Sequence, residues 1–234
     1  GNCSIVDLND KETPPCPAGA ADTATTQGEP KKEGVKILGC FLSHDNGWIK
    51  KQLNAKLVKH NLFFRRLKCM GKCAASALLG ACGVPRMAYY VRIHEPQCTA
   101  EAAAGFDEFV IDAWSDISGC EVDEVTKLVA HLPNRMGGGG FTRYALIASD
   151  AFKSSLQTFY HGEATSQRDL VEELNEKIRD TVIGIDPRAR THLSECSKKG
   201  ASSWFRCARG AQKMCNDAFG ALLCFRLYSY PKGC

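Results

Sequence analysis

The chain contains no Asp-Asp pair, no Cys-x-x-Cys pair, no Gly-Lys-Ser/Thr and no apolar run approaching the length of a membrane span. Each absence removes a class of function. Metal-dependent polymerases, nucleases and phosphatases gather carboxylates around one or two Mg²⁺ ions. The nearest approximations are Asp7-Leu8-Asn9-Asp10, which precedes a stretch of disordered composition, and Asp123-Glu124, which opens a helix. Neither makes a catalytic set. A zinc site needs paired Cys or His at short spacing; Cys69 and Cys73 are the one close pair, with no second pair or His beyond them, and read as thiols near a helix junction. His94-Glu95 runs into Pro96 and so lacks the helical spacing of a metalloprotease motif. Residues 1 to 20 are polar, without the basic start and apolar stretch of a secretory signal. The expectation is an intracellular protein with no membrane partner.

What is present is an ordinary globular composition: 234 residues, 44% hydrophobic and 24% charged. That length buries a sizeable core without a metal or disulfide staple. The 13 cysteines, an odd number, fall mostly inside helix-like apolar patterns and read as reduced, buried thiols. A net charge of +4 says little, but the charges are sorted into blocks. Asp45 to Lys72 holds eight Lys/Arg against one acid, Glu101 to Glu124 holds eight acids and no base, and Asp186 to Lys213 holds seven bases against two acids.

Residues 7 to 34 are rich in Pro, Gly, Ala and Thr and offer no core face, which predicts a loop or disordered insertion over 1–34. The short apolar run Val35 to Leu42, closed by the turn formers Ser43 to Gly47, predicts a strand. From Trp48 the period becomes helical. Ile49, Leu53, Leu57, Phe64 and Leu67 share one face while Lys51, Lys59, Arg65 and Arg66 occupy the other, so the helix has a basic outer side. A second helix runs from Cys73 through Ala81, with Gly71 at the intervening turn and Pro85 kinking it or starting the next turn. After Pro96, Phe106, Phe109, Val110, Ala113, Trp114 and Ile117 recur at helical spacing, which leaves Asp107, Glu108, Asp112 and Asp116 for the remaining faces and Gly119 past the end. Further helices are expected at 122–130, 144–159 and 169–180, after Pro187, and from an Asn216 cap through Leu227. Gly137 to Gly140 read as a turn that lets two helices approach; as a phosphate cradle they lack the lysine that should follow.

The order of these segments resembles the reverse transcriptases of non-LTR retrotransposons. Val35-Lys36-Ile37-Leu38-Gly39 is similar to the strand that closes their palm beside the primer end. Ala81-Cys82-Gly83-Val84-Pro85-Arg86 through Arg92 and Phe106-Asp107 resemble their thumb, and Leu132-Pro133-Asn134-Arg135-Met136 with Gly137 to Phe141 and Ala148-Ser149 resembles their Gly-rich block. Ala189-Arg190, Gly200-Ala201-Ser202-Ser203-Trp204 and Asp217-Ala218-Phe219 to Leu227 are similar to the connector beyond it.

The resemblance implies a mainly α fold: a thumb-like helical bundle over 46–132, a Gly-block and helical connector over 133–234, and a short β-strand or hairpin remnant of the palm at 35–45. It implies an RNA template and DNA primer as partners, held by phosphate contacts from Lys50, Lys51, Lys59, Arg65, Arg66, Arg86 and Arg92, with Leu38 and Gly39 at the primer end. The palm carboxylates, and the Mg²⁺ a parent RNA-directed DNA polymerase would use, find no residues here, so no cofactor is expected and catalysis is not assigned. Cys234 would be a first zinc ligand if the chain continued. Localisation would be nuclear. The rival reading is a relic or recruited helical module whose acidic 101–124 block meets a basic protein.

Overall fold

Val35 to Leu42 carries a strand pattern but cannot stay straight through Leu38-Gly39. In the computed structural model, which describes residues 33–162, 168–201 and 215–230, it folds into β1 (Val35–Ile37) and β2 (Cys40–Leu42), antiparallel with Val35 opposite Leu42. Leu38 and Gly39 take φ of 50° and 90°. Positive φ at both central positions matches the twist of a two-residue hairpin. The single expected strand is thus a hairpin, anchored by buried Phe41, which stacks on Tyr90 and His94 and meets Trp48 edge-on. The loop expected over 1–34 lies outside the described residues except for its last two.

Helix α1 (Asn46–Leu67) starts where the Asp45 carboxylate accepts from the Gly47 N–H at 2.7 Å. Its predicted face is the buried one: Ile49, Leu53, Phe64 and Leu67 enter the core. Gly71 precedes α2 (Lys72–Leu78). The path then loosens into a π-turn over Leu79–Gly83 and a 3₁₀ turn over Val84–Met87 before α3 (Ala88–Ile93). Pro85 lacks an N–H, so the chain tightens there without ending.

At the centre is α4 (Pro96–Ser118), buried from Cys98 to Ser118 on nearly every side and packed against α1 and α6 (Tyr144–His161). Gly119, at φ 76°, closes it in the left-handed conformation. One expectation about α4 fails. Asp107 is not on a solvent face: it is 6% exposed, and its two carboxylate oxygens accept from the backbone N–H groups of Tyr144 and Ala145, both at 2.9 Å. The carboxylate serves as the N-terminal cap of a different helix, α6, whose own N-cap residue, Arg143, supplies no side-chain acceptor.

Burial pushes the Asp107 carboxyl up to about 6 against the opposing pull of these two N–H groups and of Arg143. Because the folded value lies above the ordinary carboxyl value, the stability it contributes is full below that ordinary value and lost as pH rises through about 6. Stability should therefore fall by about 1–3 kcal/mol between pH 4 and pH 7 through this group. Denaturant melts across that range, compared with Asp107→Asn, test it: the difference between the two profiles must vary with pH, and parallel profiles would refute the assignment.

Helix α5 (Glu124–His131) is capped by Asp123, which accepts from the Thr126 N–H at 2.7 Å. At its other end the glycine block folds back. Gly139 donates to the Val129 carbonyl, Phe141 to that of Ala130 and Gly140 to that of Leu132. These bonds satisfy carbonyls that a helix C-terminus leaves orphaned. Helix α7 (Arg168–Ile185) packs on α5, α8 (Ala189–Ser197) follows it, and α9 (Asn216–Arg226) returns to α4. Asn216 does not cap its own helix as expected; its side-chain oxygen accepts from the Lys72 N–H at the start of α2.

Cys120 and Cys224, 104 residues apart, are joined in a disulfide that ties the end of α4 to α9. This corrects the expectation of reduced thiols for that pair: the two Cα atoms are brought to 5.5 Å only by the packing of α9 on α4. Among the free cysteines described, Cys98 and Cys196 are buried, whereas Cys69, Cys82 and Cys215 are exposed.

Candidate nucleic-acid interface

A 22-residue helix with one apolar face must leave its other faces to solvent, and α1 leaves its bases there. Lys50, Lys51, Lys59, Arg65 and Arg66 are all exposed, and none has an ion pair or side-chain hydrogen bond among the described residues. Two more bases of the block are used internally: Lys68 pairs with Asp116, and Lys72 Nζ donates to the Ser118 carbonyl at 3.2 Å. The outer face is not purely basic. Val58 and Leu62 lie between the charges with 71% and 52% of their surface exposed, an apolar stripe within the basic field.

The other two arginines sit elsewhere. Arg86 is half-buried, its guanidinium 3.9 Å above the Phe63 ring, with Nε donating to the Cys82 carbonyl at 2.9 Å. It packs α1 against the π-turn before it offers a charge to anything outside. Arg92 is exposed on α3, lining a groove with Thr142, Tyr144 and Asp150 rather than the face of α1. Leu38 and Gly39 are at the hairpin tip, where the Tyr89 hydroxyl donates to the Leu38 carbonyl at 2.8 Å and the Leu38 side chain is 94% exposed.

Neither Lys36 nor Lys56 is among the phosphate contacts expected from the sequence. Burial, followed by the ammonium groups of Lys36 and Lys59, holds Lys56 below its ordinary value. Crowded like charges of this kind are relieved by an anion. Lys56 belonged to the basic block, but Lys36 is on β1, and only the hairpin's docking beside α1 brings the two together.

The acidic 101–124 block is partly spent: Asp107 is buried, Asp116 and Glu124 are ion-paired, and Glu101 accepts from Asn54 at 3.2 Å. In the glycine block, the N–H groups of Gly137 to Gly140 all donate to backbone carbonyls of residues 129–134, so none is left to cradle a phosphate. Among the described residues no group of three His, Cys, Asp or Glu is placed to hold a metal ion, and no helix is long and apolar enough to cross a membrane. Asp7-Leu8-Asn9-Asp10, Ser202-Ser203-Trp204, the bases Arg206, Arg209 and Lys213, and Cys234 lie outside the described residues.

No family model matches the chain, and no solved structure matches it. Among curated proteins, the retrotransposable element SLACS 132 kDa protein of Trypanosoma brucei gambiense is 30% identical over 118 residues. The matched stretch covers 49% of this chain and 10% of that protein, so the chain spans about a tenth of its relative's length. The similarity points to a retrotransposon-related origin for the chain.

Proposed function

We propose that this chain is a nucleic-acid-holding segment of a reverse-transcriptase-like protein, with 46–132 as thumb and 133–234 as connector. In this reading the segment is not catalytic alone. The observation that carries the reading is the set of five exposed cations on α1 that have no partner among the described residues, reinforced by the crowded lysines beside the hairpin. Such groups contact phosphates of an RNA template and DNA primer, positioning the duplex without reading its sequence. Leu38 and Gly39, projecting at the hairpin tip, stand nearest the primer end in this reading. The retrotransposable-element similarity is consistent with it.

The test is binding of the chain to a labelled RNA/DNA hybrid across a salt series, beside a variant with Lys50, Lys51, Lys59, Arg65 and Arg66 changed to Gln. Five phosphate contacts predict a fall in affinity of about 500-fold between 50 and 200 mM salt, from a slope of roughly −0.9 per contact. The variant should bind weakly at all salts. Affinity unchanged across that range, or kept in the variant, overturns the proposal.

A further inference from the structure

The solvent face of α1 carries more than positive charge. At about 100° per residue, Ala55, Val58 and Leu62 fall in one stripe directly across the helix from the core residues Ile49, Leu53, Phe64 and Leu67. Ala55 is exposed, and Val58 and Leu62 keep 71% and 52% of their surface open. Their successive steps of three and four residues are those of a coiled-coil seam. The helix thus has two apolar stripes: one fills the core, and the other has no cover.

The rim of the uncovered stripe is cationic. On the same wheel Lys59 and Arg66 run along one side, Arg65 along the other, and Lys51 continues the stripe toward the N-terminus, all exposed. No Asp or Glu occurs between Asn46 and Leu67. The acids that α4 brings to this side, Glu101 and Asp116, bond Asn54 and Lys68, which lie outside the stripe. Phosphates account for the rim but not for the seam, because a phosphate oxygen pressed on Val58 or Leu62 loses water and gains no donor. A second copy of the chain docked through its own α1 fits no better, since it sets the same cations against one another.

We propose that this face docks an amphipathic helix of a partner protein, apolar along its seam and acidic on both flanks. The partner's apolar side chains cover Ala55, Val58 and Leu62. Its carboxylates meet Lys51, Lys59, Arg65 and Arg66, as the flanking charges of a two-stranded coiled coil select partner and orientation. From Lys51 to Arg66 the face is about 22 Å long, or about four helical turns, enough to seat a helix of ordinary length. The inference goes beyond the hybrid-holding reading and does not depend on it, but it uses the same face, so a seated helix and a hybrid exclude each other.

The test titrates the full 234-residue chain into a fluorescent peptide of about 20 residues, with Leu at alternating three- and four-residue steps and Glu on both flanks. A scrambled peptide of the same composition, vesicles of phosphatidylserine and phosphatidylcholine, and an RNA/DNA hybrid are run beside it. The seam peptide should bind and gain helical circular dichroism on binding. Val58→Ser with Leu62→Ser should weaken it about tenfold or more; both side chains are exposed, so this variant should keep the parent's thermal melt. Scrambled peptide bound as tightly as the seam peptide overturns the proposal, because charge alone then suffices. Equal binding by the folded double variant overturns it, as does vesicle binding without peptide binding, or a chain dimer that the double variant dissolves. Peptide binding without salt-dependent hybrid binding supports this proposal and sinks the hybrid reading, whereas hybrid binding without peptide binding does the reverse.

Discussion

Gly138→Ala is expected to abolish folding, whereas Gly80→Ala leaves the protein as stable as before or slightly more so. A Cβ on Gly138 would lie 2.2 Å from the Leu132 carbonyl oxygen and 2.4 Å from that of Val129. Both are backbone atoms at the end of α5, and Leu132 and Val129 accept from Gly140 and Gly139 in the same turn. Relief therefore requires the block to pull away from the helix, breaking those bonds together. The expected cost exceeds about 4 kcal/mol, the range reserved for backbone clash and lost buried networks. At Gly80 a Cβ meets nothing within 4 Å, and alanine restricts the unfolded chain, for a change of about 0.5–1 kcal/mol in favour of folding. Soluble yield, circular dichroism and a denaturant midpoint for both variants decide it. A folded Gly138→Ala protein within 1 kcal/mol of the parent would mean that the glycines are not needed for close approach.

The second large effect is at Arg226. Its side chain is 2% exposed, and its guanidinium donates to the carbonyls of Asn134 at 2.9 Å, Gly138 at 3.2 Å and Cys196. One planar fork thus joins α9, the glycine block and the end of α8. Arg226→Ala removes the donors and leaves the carbonyls buried and underbonded, for a cost of about 3–5 kcal/mol. For a domain of this size the corresponding drop in Tm is roughly 6–20 °C. Arg226→Lys keeps the charge, but a compact ammonium cannot span the three carbonyls at once, so rescue should be partial. Thermal melts of the two variants separate charge from geometry: full rescue by lysine, or a shift below 2 °C in the alanine variant, would show that the fork is not what holds these segments.

The helices were legible because their signal is local. Ile49, Leu53, Phe64 and Leu67, and later Phe106, Val110, Ala113, Trp114 and Ile117, repeat at three- and four-residue steps, and the structure buries those same faces. The exposed bases of α1 follow from that geometry, since a residue opposite the core has nowhere else to go. The glycine block was legible as a turn for a similar reason: no lysine followed to complete a phosphate loop.

Position in sequence carries no trace of a distant partner, and there the pattern misled. Asp107 obeys a helical wheel that puts it outside, yet α6 arrives with unsatisfied N–H groups and makes burial of that carboxylate worthwhile. Asn216 has the composition of a cap but serves α2 across the fold. Cys120 and Cys224 looked like unrelated thiols until α9 lay against α4. By itself the sequence determined which segments are helical, which face of each is apolar and where positive charge accumulates, because backbone geometry and side-chain periodicity act over a few residues. Only the tertiary structure decided which buried polar groups complete one another, because orphaned donors and acceptors at element ends are satisfied by whatever the packing brings within 3 Å.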